Sequence, residues 1–173
     1  MKPIQGWDLI DEAGEFKKLP AGIYGVVITG IKNVVEGEYF EITCDIVKGE
    51  YANYFKTQVE AGFNDGSKTL RSYKEKALPF FKAFITAIEK TNPGYQWDWD
   101  ETKLVGKKVI AVFGEEEFEA KDGTVKVATR IQEFRSLEAF QQGKLKVPPL
   151  KKLEKPVKAE ELQPMLELDD LPF

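Results

Sequence analysis

Tyrosine and lysine are interleaved early in the chain: Tyr39, Tyr51 and Tyr54 alternate with Lys32, Lys48 and Lys56. Flat aromatic faces accept stacked bases, and ammonium groups neutralise phosphates. This mixture is the residue chemistry of a surface for single-stranded nucleic acid. Arg71, Tyr73 and Lys74, with Lys76 close by, form a second basic-aromatic cluster. Lys126 and Arg130 fall on outward positions of a late strand and extend the candidate track.

Little else in the chain suits chemistry. It has no histidine, so the commonest general base is missing. Cys44 is the single cysteine, which excludes a disulfide within the chain and a Cys/His zinc site. No phosphate-cradling Gly-Lys-Ser/Thr loop, dinucleotide fingerprint or nucleophile elbow occurs. Glu115, Glu116 and Glu117 are the one acidic run that could hold Mg²⁺, as in a nuclease. Consecutive strand residues face opposite ways, however, so the run reads as a solvated hairpin. Binding without catalysis, metal or cofactor is the expectation. The balance of 25 basic against 29 acidic residues works against it, because affinity for nucleic acid comes largely from phosphate neutralisation. A local field can outweigh net charge, so the prediction is modest, salt-sensitive binding.

These side chains need a scaffold. Leu19-Pro20-Ala21-Gly22 is a turn signal, and Ile23 to Val35 reads as a long first strand with apolar residues on both faces. Gly37 breaks it. From Glu38 to Val47, Phe40, Ile42, Cys44 and Ile46 alternate with Tyr39, Glu41, Thr43 and Asp45, the pattern of a half-buried strand. Lys48-Gly49-Glu50 is a turn, and Tyr51 to Val59 reads as a third strand. After a loop at Ala61 to Lys68, the spacing of Leu78, Phe81, Ile85 and Ile88 predicts a helix with Pro79 in its first turn, stopped at Asn92-Pro93-Gly94. Phe80, Phe81 and Phe84 are expected in the core, and Trp97 and Trp99 as packing residues. Lys107 to Glu119 and Thr124 to Phe134 read as the last two strands, joined at Lys121-Asp122-Gly123. Leu137 to Gln142 forms a short helix. The order is that of an OB-fold: a mainly β, five-stranded barrel with a helix between strands 3 and 4. Residues 1–143 would form this domain, with Trp7, Leu9, Ile10 and Phe16 pinning a loose N-terminal segment.

Residues 144–173 read as a flexible linker and tail. Lys144, Lys146, Lys151, Lys152, Lys155 and Lys158 stand against Glu154 alone, among Pro148, Pro149 and Pro156. From Ala159 onward there are five acids and no base. The last five residues are Asp169, Asp170, Leu171, Pro172 and Phe173. Paired acids, an apolar residue, Pro and a terminal Phe resemble the C-terminal tip of bacterial single-stranded DNA-binding proteins. The body differs from the housekeeping members, and the whole plan is more similar to phage or mobile-element versions. The resemblance implies that the Phe173 ring and its free carboxylate dock on partner proteins, Pro172 limiting the entropy lost. It further implies an acidic tip that competes with DNA for the barrel.

The combined expectation is sequence-tolerant binding and protection of single-stranded DNA in replication, recombination or repair, with partners recruited through the tip. The alternative is a protein adaptor in such a complex with no DNA binding of its own. No apolar run approaches the roughly 18 residues that span a membrane, and residues 1–10 show no leader pattern. The expected location is the cytoplasm of a bacterial host cell, and a homo-oligomer is compatible with this plan.

Overall fold

The computed structural model of the protein describes residues 1–5, 7 and 17–154. In chain order its elements are β1 (Gly22–Val34), β2 (Tyr39–Ile46), α1 (Tyr54–Glu60), β3 (Thr69–Ser72), α2 (Leu78–Thr91), β4 (Lys108–Glu119), β5 (Val125–Arg135) and α3 (Leu137–Gln141). The five strands make one sheet in the order β3-β2-β1-β4-β5, every neighbouring pair antiparallel. A helix, α2, lies between strands 3 and 4 as the sequence pattern predicts, and no described helix is long and apolar enough to cross a membrane.

β2 follows its alternation: Phe40, Ile42, Cys44 and Ile46 are all buried. On β1 the apolar residues of both predicted faces are reconciled by a bulge. Its register against β2 shifts between Ile28 and Gly30. One extra residue reverses the side-chain parity, so Val26 and Ile28 line the core before the bulge and Ile31 packs against it afterwards. Gly30 sits where a Cβ would lie 2.6 Å from the Thr43 hydroxyl, so the close approach of β1 and β2 there suits glycine. Phe81, Phe84, Ile85 and Ile88 bring the apolar stripe of α2 onto the same core, each such side chain contributing about 2–3 kcal/mol of burial. Phe80 was expected among them and is 76% exposed. The helical period carries it off the stripe. Asn92 ties the end of α2 to β4, its side chain donating to Ile88 and Lys108 carbonyls and accepting from the Lys108 amide.

The third strand is where sequence and structure differ most. Tyr51 to Val59 is not a strand; its second half is α1. The cause is Asp45, at the end of β2 and only 6% exposed. Its carboxylate accepts from the amides of Ile46 at 2.8 Å, Phe55 at 3.1 Å and Lys56 at 3.0 Å. The last two are orphan donors of the first turn of α1, which the residue in the cap position, Asn53, does not satisfy with its own side chain. Asp45 therefore caps α1 from the neighbouring strand and bends the chain into a helix. That turn drives Phe55 into the core, stacked on Phe113 at 5.9 Å. The true third strand, Thr69–Ser72, follows the loop, pairing Ile42 with Thr69 through Tyr39 with Ser72. Ser67, fully buried, accepts from the Cys44 amide and donates to Asp65, sealing the loop to β2.

β4 extends past the start of β1, whose first residue pairs with Phe113. The free edge left there is taken by residues of the segment expected to be linker. Lys151 donates to the Glu115 carbonyl and accepts from the Glu117 amide, both at 2.9 Å, and the Leu153 amide donates to the Glu117 carboxylate. Pro148 lies over Gly114, where a Cβ would come 2.8 Å from its ring. The chain is thus held against the sheet well beyond residue 143. Leu9, Ile10 and Phe16 of the N-terminal segment lie outside the described residues.

Asp45→Ala leaves three amides without an acceptor in a buried site. We expect it to lower stability by about 2–4 kcal/mol, measured as a fall in the urea midpoint with loss of far-ultraviolet helix signal. An unchanged midpoint would remove Asp45 as the cause of the α1 turn.

Candidate nucleic-acid interface

Antiparallel pairing fixes which side chains share the outward face of β1, β2 and β3. Residues directly opposite one another point the same way. Because Phe40 and Ile42 face the core, Tyr39, Glu41 and Thr43 face out, opposite Val34, Lys32 and Gly30 on β1. On the other side they meet Ser72 and Leu70 of β3. Leu70 is 53% exposed. The Tyr39 ring crosses the backbone of Gly37, where any Cβ would collide with it. Lys32 and Lys74 are exposed beside this surface. Lys68, one residue before β3, reaches Glu41 at 2.9 Å. The Glu41 carboxyl is held below its ordinary range chiefly by that hydrogen bond, with a smaller pull from Lys32, and Lys68 is correspondingly raised. The face is therefore a mixed patch: an aromatic ring and aliphatic side chains between lysines, with one carboxylate among the cations.

Several of the residues expected on this surface are elsewhere. Tyr51 and Tyr54 are not on a strand. Tyr51 lies edge-on to Tyr24 at 6.1 Å and to Tyr54 at 6.0 Å, and Tyr24 packs on Phe113 at 5.4 Å. The Tyr54 hydroxyl accepts from the Leu19 amide and from Gln58. Burial raises the pKa of both Tyr24 and Tyr54. This tyrosine group is the rim of the core. Lys48 and Lys56 are exposed near it, Lys56 facing Glu60 on the same helix. Arg71 points inward, because it is paired with Phe40. Its guanidinium donates to the Leu70 carbonyl at 2.8 Å and the Thr69 hydroxyl at 3.2 Å, reaches the Gln132 carbonyl of β5 at 3.4 Å, and lies 4.8 Å over the Phe134 ring. Tyr73 is committed too: its hydroxyl donates to Asn33, and its ring packs on Phe40 and Phe81. Lys126 and Arg130 do lie exposed on β5, Arg130 over the Phe118 ring at 5.5 Å. Asp169, Asp170, Leu171, Pro172 and Phe173 lie outside the described residues.

Three contributors escape a reading of the sequence. Leu70 belongs to a strand of four residues, too short to show a period, and Lys68 stands one residue before it. Trp99, expected to pack, is 82% exposed with a left-handed backbone, φ +68°. Its ring leans on Trp97 at 6.0 Å, which contacts Phe40 at 6.4 Å, so an aromatic ladder runs from core to solvent. Lys103 pairs with both carboxylates flanking Trp99, Asp98 and Asp100.

The acidic run offers no metal chelate. Glu115 faces Lys18, Glu116 accepts from Gln132, and Glu117 accepts from the Leu153 amide. Among the described residues no group of three or more acidic or thiol side chains converges. Cys44 is buried, and that burial pushes its thiol up to about 12. No protein-family model matches the chain, and no curated protein is significantly similar to it.

The inward placement of Arg71 has a measurable consequence. Arg71→Met should lower stability by about 1.5–3 kcal/mol, the range for hydrogen bonds to a charged group. The variant should unfold at lower urea while any polyanion binding keeps its wild-type salt dependence. A changed salt dependence at unchanged stability would return Arg71 to the surface.

Proposed function

We propose that the protein binds single-stranded DNA without strong sequence preference, protects it, and recruits replication, recombination or repair proteins through residues 169–173. The observation that carries this reading is the outward face of β1–β2–β3, where Tyr39 and Leu70 lie between Lys32, Lys68 and Lys74. Stacking on the ring and charge neutralisation by the lysines suit a flexible strand with unpaired bases. The sheet order supports an OB-type barrel. In that fold β3 and β5 come together to close the cylinder, and Arg71 makes its long-range contacts between those two strands. OB-folds bind oligonucleotides across strands 2 and 3, which is the face described above. Lys126 and Arg130 on the β4–β5 hairpin would flank the same path. Trp99, raised on its aromatic ladder, is a further stacking platform.

The resemblance of the final pentapeptide to the tip of bacterial single-stranded DNA-binding proteins supports the second half of the proposal. A protein of this kind acts in the cytoplasm, here of a bacterium or a phage-infected cell. The net charge of −4 favours the competing reading, a protein adaptor with no nucleic-acid contact. Retention on single-stranded DNA at low salt separates the two.

Fluorescence titration with oligo(dT) at increasing salt tests the proposal. Saturable binding that salt reverses is the expected result, and none at low salt would leave the adaptor. Tyr39→Ala should weaken binding by about 1–3 kcal/mol. Lys32→Ala and Lys68→Ala should each reduce the slope of log affinity against log salt by about 0.7. Glu41→Gln, which removes the carboxylate from among these cations, should tighten binding. Deleting residues 169–173 should abolish partner capture while DNA affinity stays equal or rises. Loss of DNA binding in that deletion would overturn the division of labour.

A further inference from the structure

A groove of about 520 Å³ runs between α2 and α3, away from the outward face of β1–β2–β3. Its composition is unusual for a net acidic protein. Lys82 and Lys90 line one wall from α2, and Arg135 and Lys144 come from the end of β5 and the residue stretch after α3. Glu138 is the one acid in the lining, and its carboxylate already accepts from Gln142. Lys82 and Lys90 are eight residues apart on one helix ridge, separated by about 12 Å at 1.5 Å per residue. Among the described residues, neither they nor Lys144 engages an acid in an ion pair, whereas Arg135 pairs with Glu133 at 3.2 Å, and Lys17, Lys18, Lys56, Lys68 and Lys103 are paired elsewhere. Unpaired cations over low-dielectric walls concentrate positive potential. The floor is made by small residues, Ala83, Ala87 and Ala139, with Phe134 buried beneath. A chain can therefore lie close to the helix, but none of the lining residues offers an exposed ring on which a base could stack.

We infer that this groove is a second anion track, which takes the phosphodiester backbone of a strand that continues beyond the β1–β2–β3 face. The inference rests on the DNA-binding reading above. Continuity supports it. β3 is joined to β5 through Arg71, and β5 ends at Arg135, which lines the groove. On this inference a strand leaving the face at Leu70 and Ser72 crosses at that junction. Contacts to phosphate alone position a strand without reading its sequence. The groove would thus add length and salt dependence to binding without adding base preference.

The test uses the full chain carrying Lys82→Glu, Lys90→Glu and Lys144→Glu together, with a Lys→Arg triple variant as its charge-preserving partner. Affinity is measured against oligo(dT) of about 8 nucleotides, within the site size of one OB module, and of about 30 nucleotides. Circular dichroism and the urea midpoint check the fold. The expected result is wild-type binding of the short strand by the Glu variant. For the long strand its salt slope should fall by about 2, since each lost phosphate contact removes about 0.7, and its affinity should drop roughly tenfold or more. The Arg variant should match wild type. A wild-type slope for the long strand in the Glu variant would overturn the groove track and leave the DNA-binding reading standing. Equal losses on both lengths would overturn it as an extension. Failure of the wild-type protein to bind either oligonucleotide, with the Glu variant impaired only toward an acidic polypeptide such as poly-glutamate, would overturn both readings.

Discussion

The position of Arg71 is the constraint on which the surface of this protein depends. β3 is only four residues long and pairs with β2 alone, so without another tie it would be a weak edge. The guanidinium supplies that tie. It spans from carbonyl and hydroxyl acceptors on its own strand to a carbonyl on β5, with the Phe134 ring beneath it. Burial lowers its pKa, yet a guanidinium stays charged far above neutrality. Its hydrogen-bond partners are all neutral, with Glu133 adding a smaller favourable pull, so the planar fork with several donors is what makes the site tolerable. A lysine has neither the geometry to serve these acceptors together nor a flat face to lay on the ring. Arg71 joins the strand that carries one edge of the outward face to the strand that ends at the groove.

Asp45 plays the matching part at the other end of β2. A buried carboxylate is costly unless its lone pairs are filled, and three backbone amides fill them. The consequence reaches the aromatic residues. By turning the chain into α1, Asp45 sends Phe55 into the core and draws Tyr51 and Tyr54 into a cluster with Tyr24. Two tyrosines with apparent binding chemistry thereby become packing residues. Tyr39 remains outward because its register partners, Val34 and Ser72, fix its face.

Charge is distributed unevenly. The chain carries a net −4, yet among the described residues Lys74 beside the β1–β2–β3 face and Lys82, Lys90 and Lys144 in the α2–α3 groove form no ion pair with an acid. Many carboxylates are instead spent internally: Asp45 on amides, Asp65 on Ser67, Asp98 and Asp100 on Lys103, Glu116 on Gln132. Net charge sets solubility, while the field at a groove depends on which charges are left uncompensated nearby. An acidic total and a cationic track are compatible for that reason.

The sequence by itself determined the elements that have a strong period and the residues that close them. The alternation of β2, the apolar stripe of α2 with its stop at Asn92, the β4–β5 hairpin and the short α3 are all legible, because burial of one face imposes a repeat on local residue types. The exposed Lys32, Lys126 and Arg130 were legible as well, since their parity on regular strands is fixed. Tertiary structure alone decided the rest. Tyr51 to Val59 alternates like a strand, but a carboxylate ten residues upstream of Phe55 caps it into a helix, and no local pattern reports such a bond. β3 was hidden because four residues are too few to show a period. Arg71 changed from a surface cation to an internal tie because its facing is set by pairing with Phe40. The cationic groove unites residues from α2, β5 and the chain beyond α3, and only packing places them side by side.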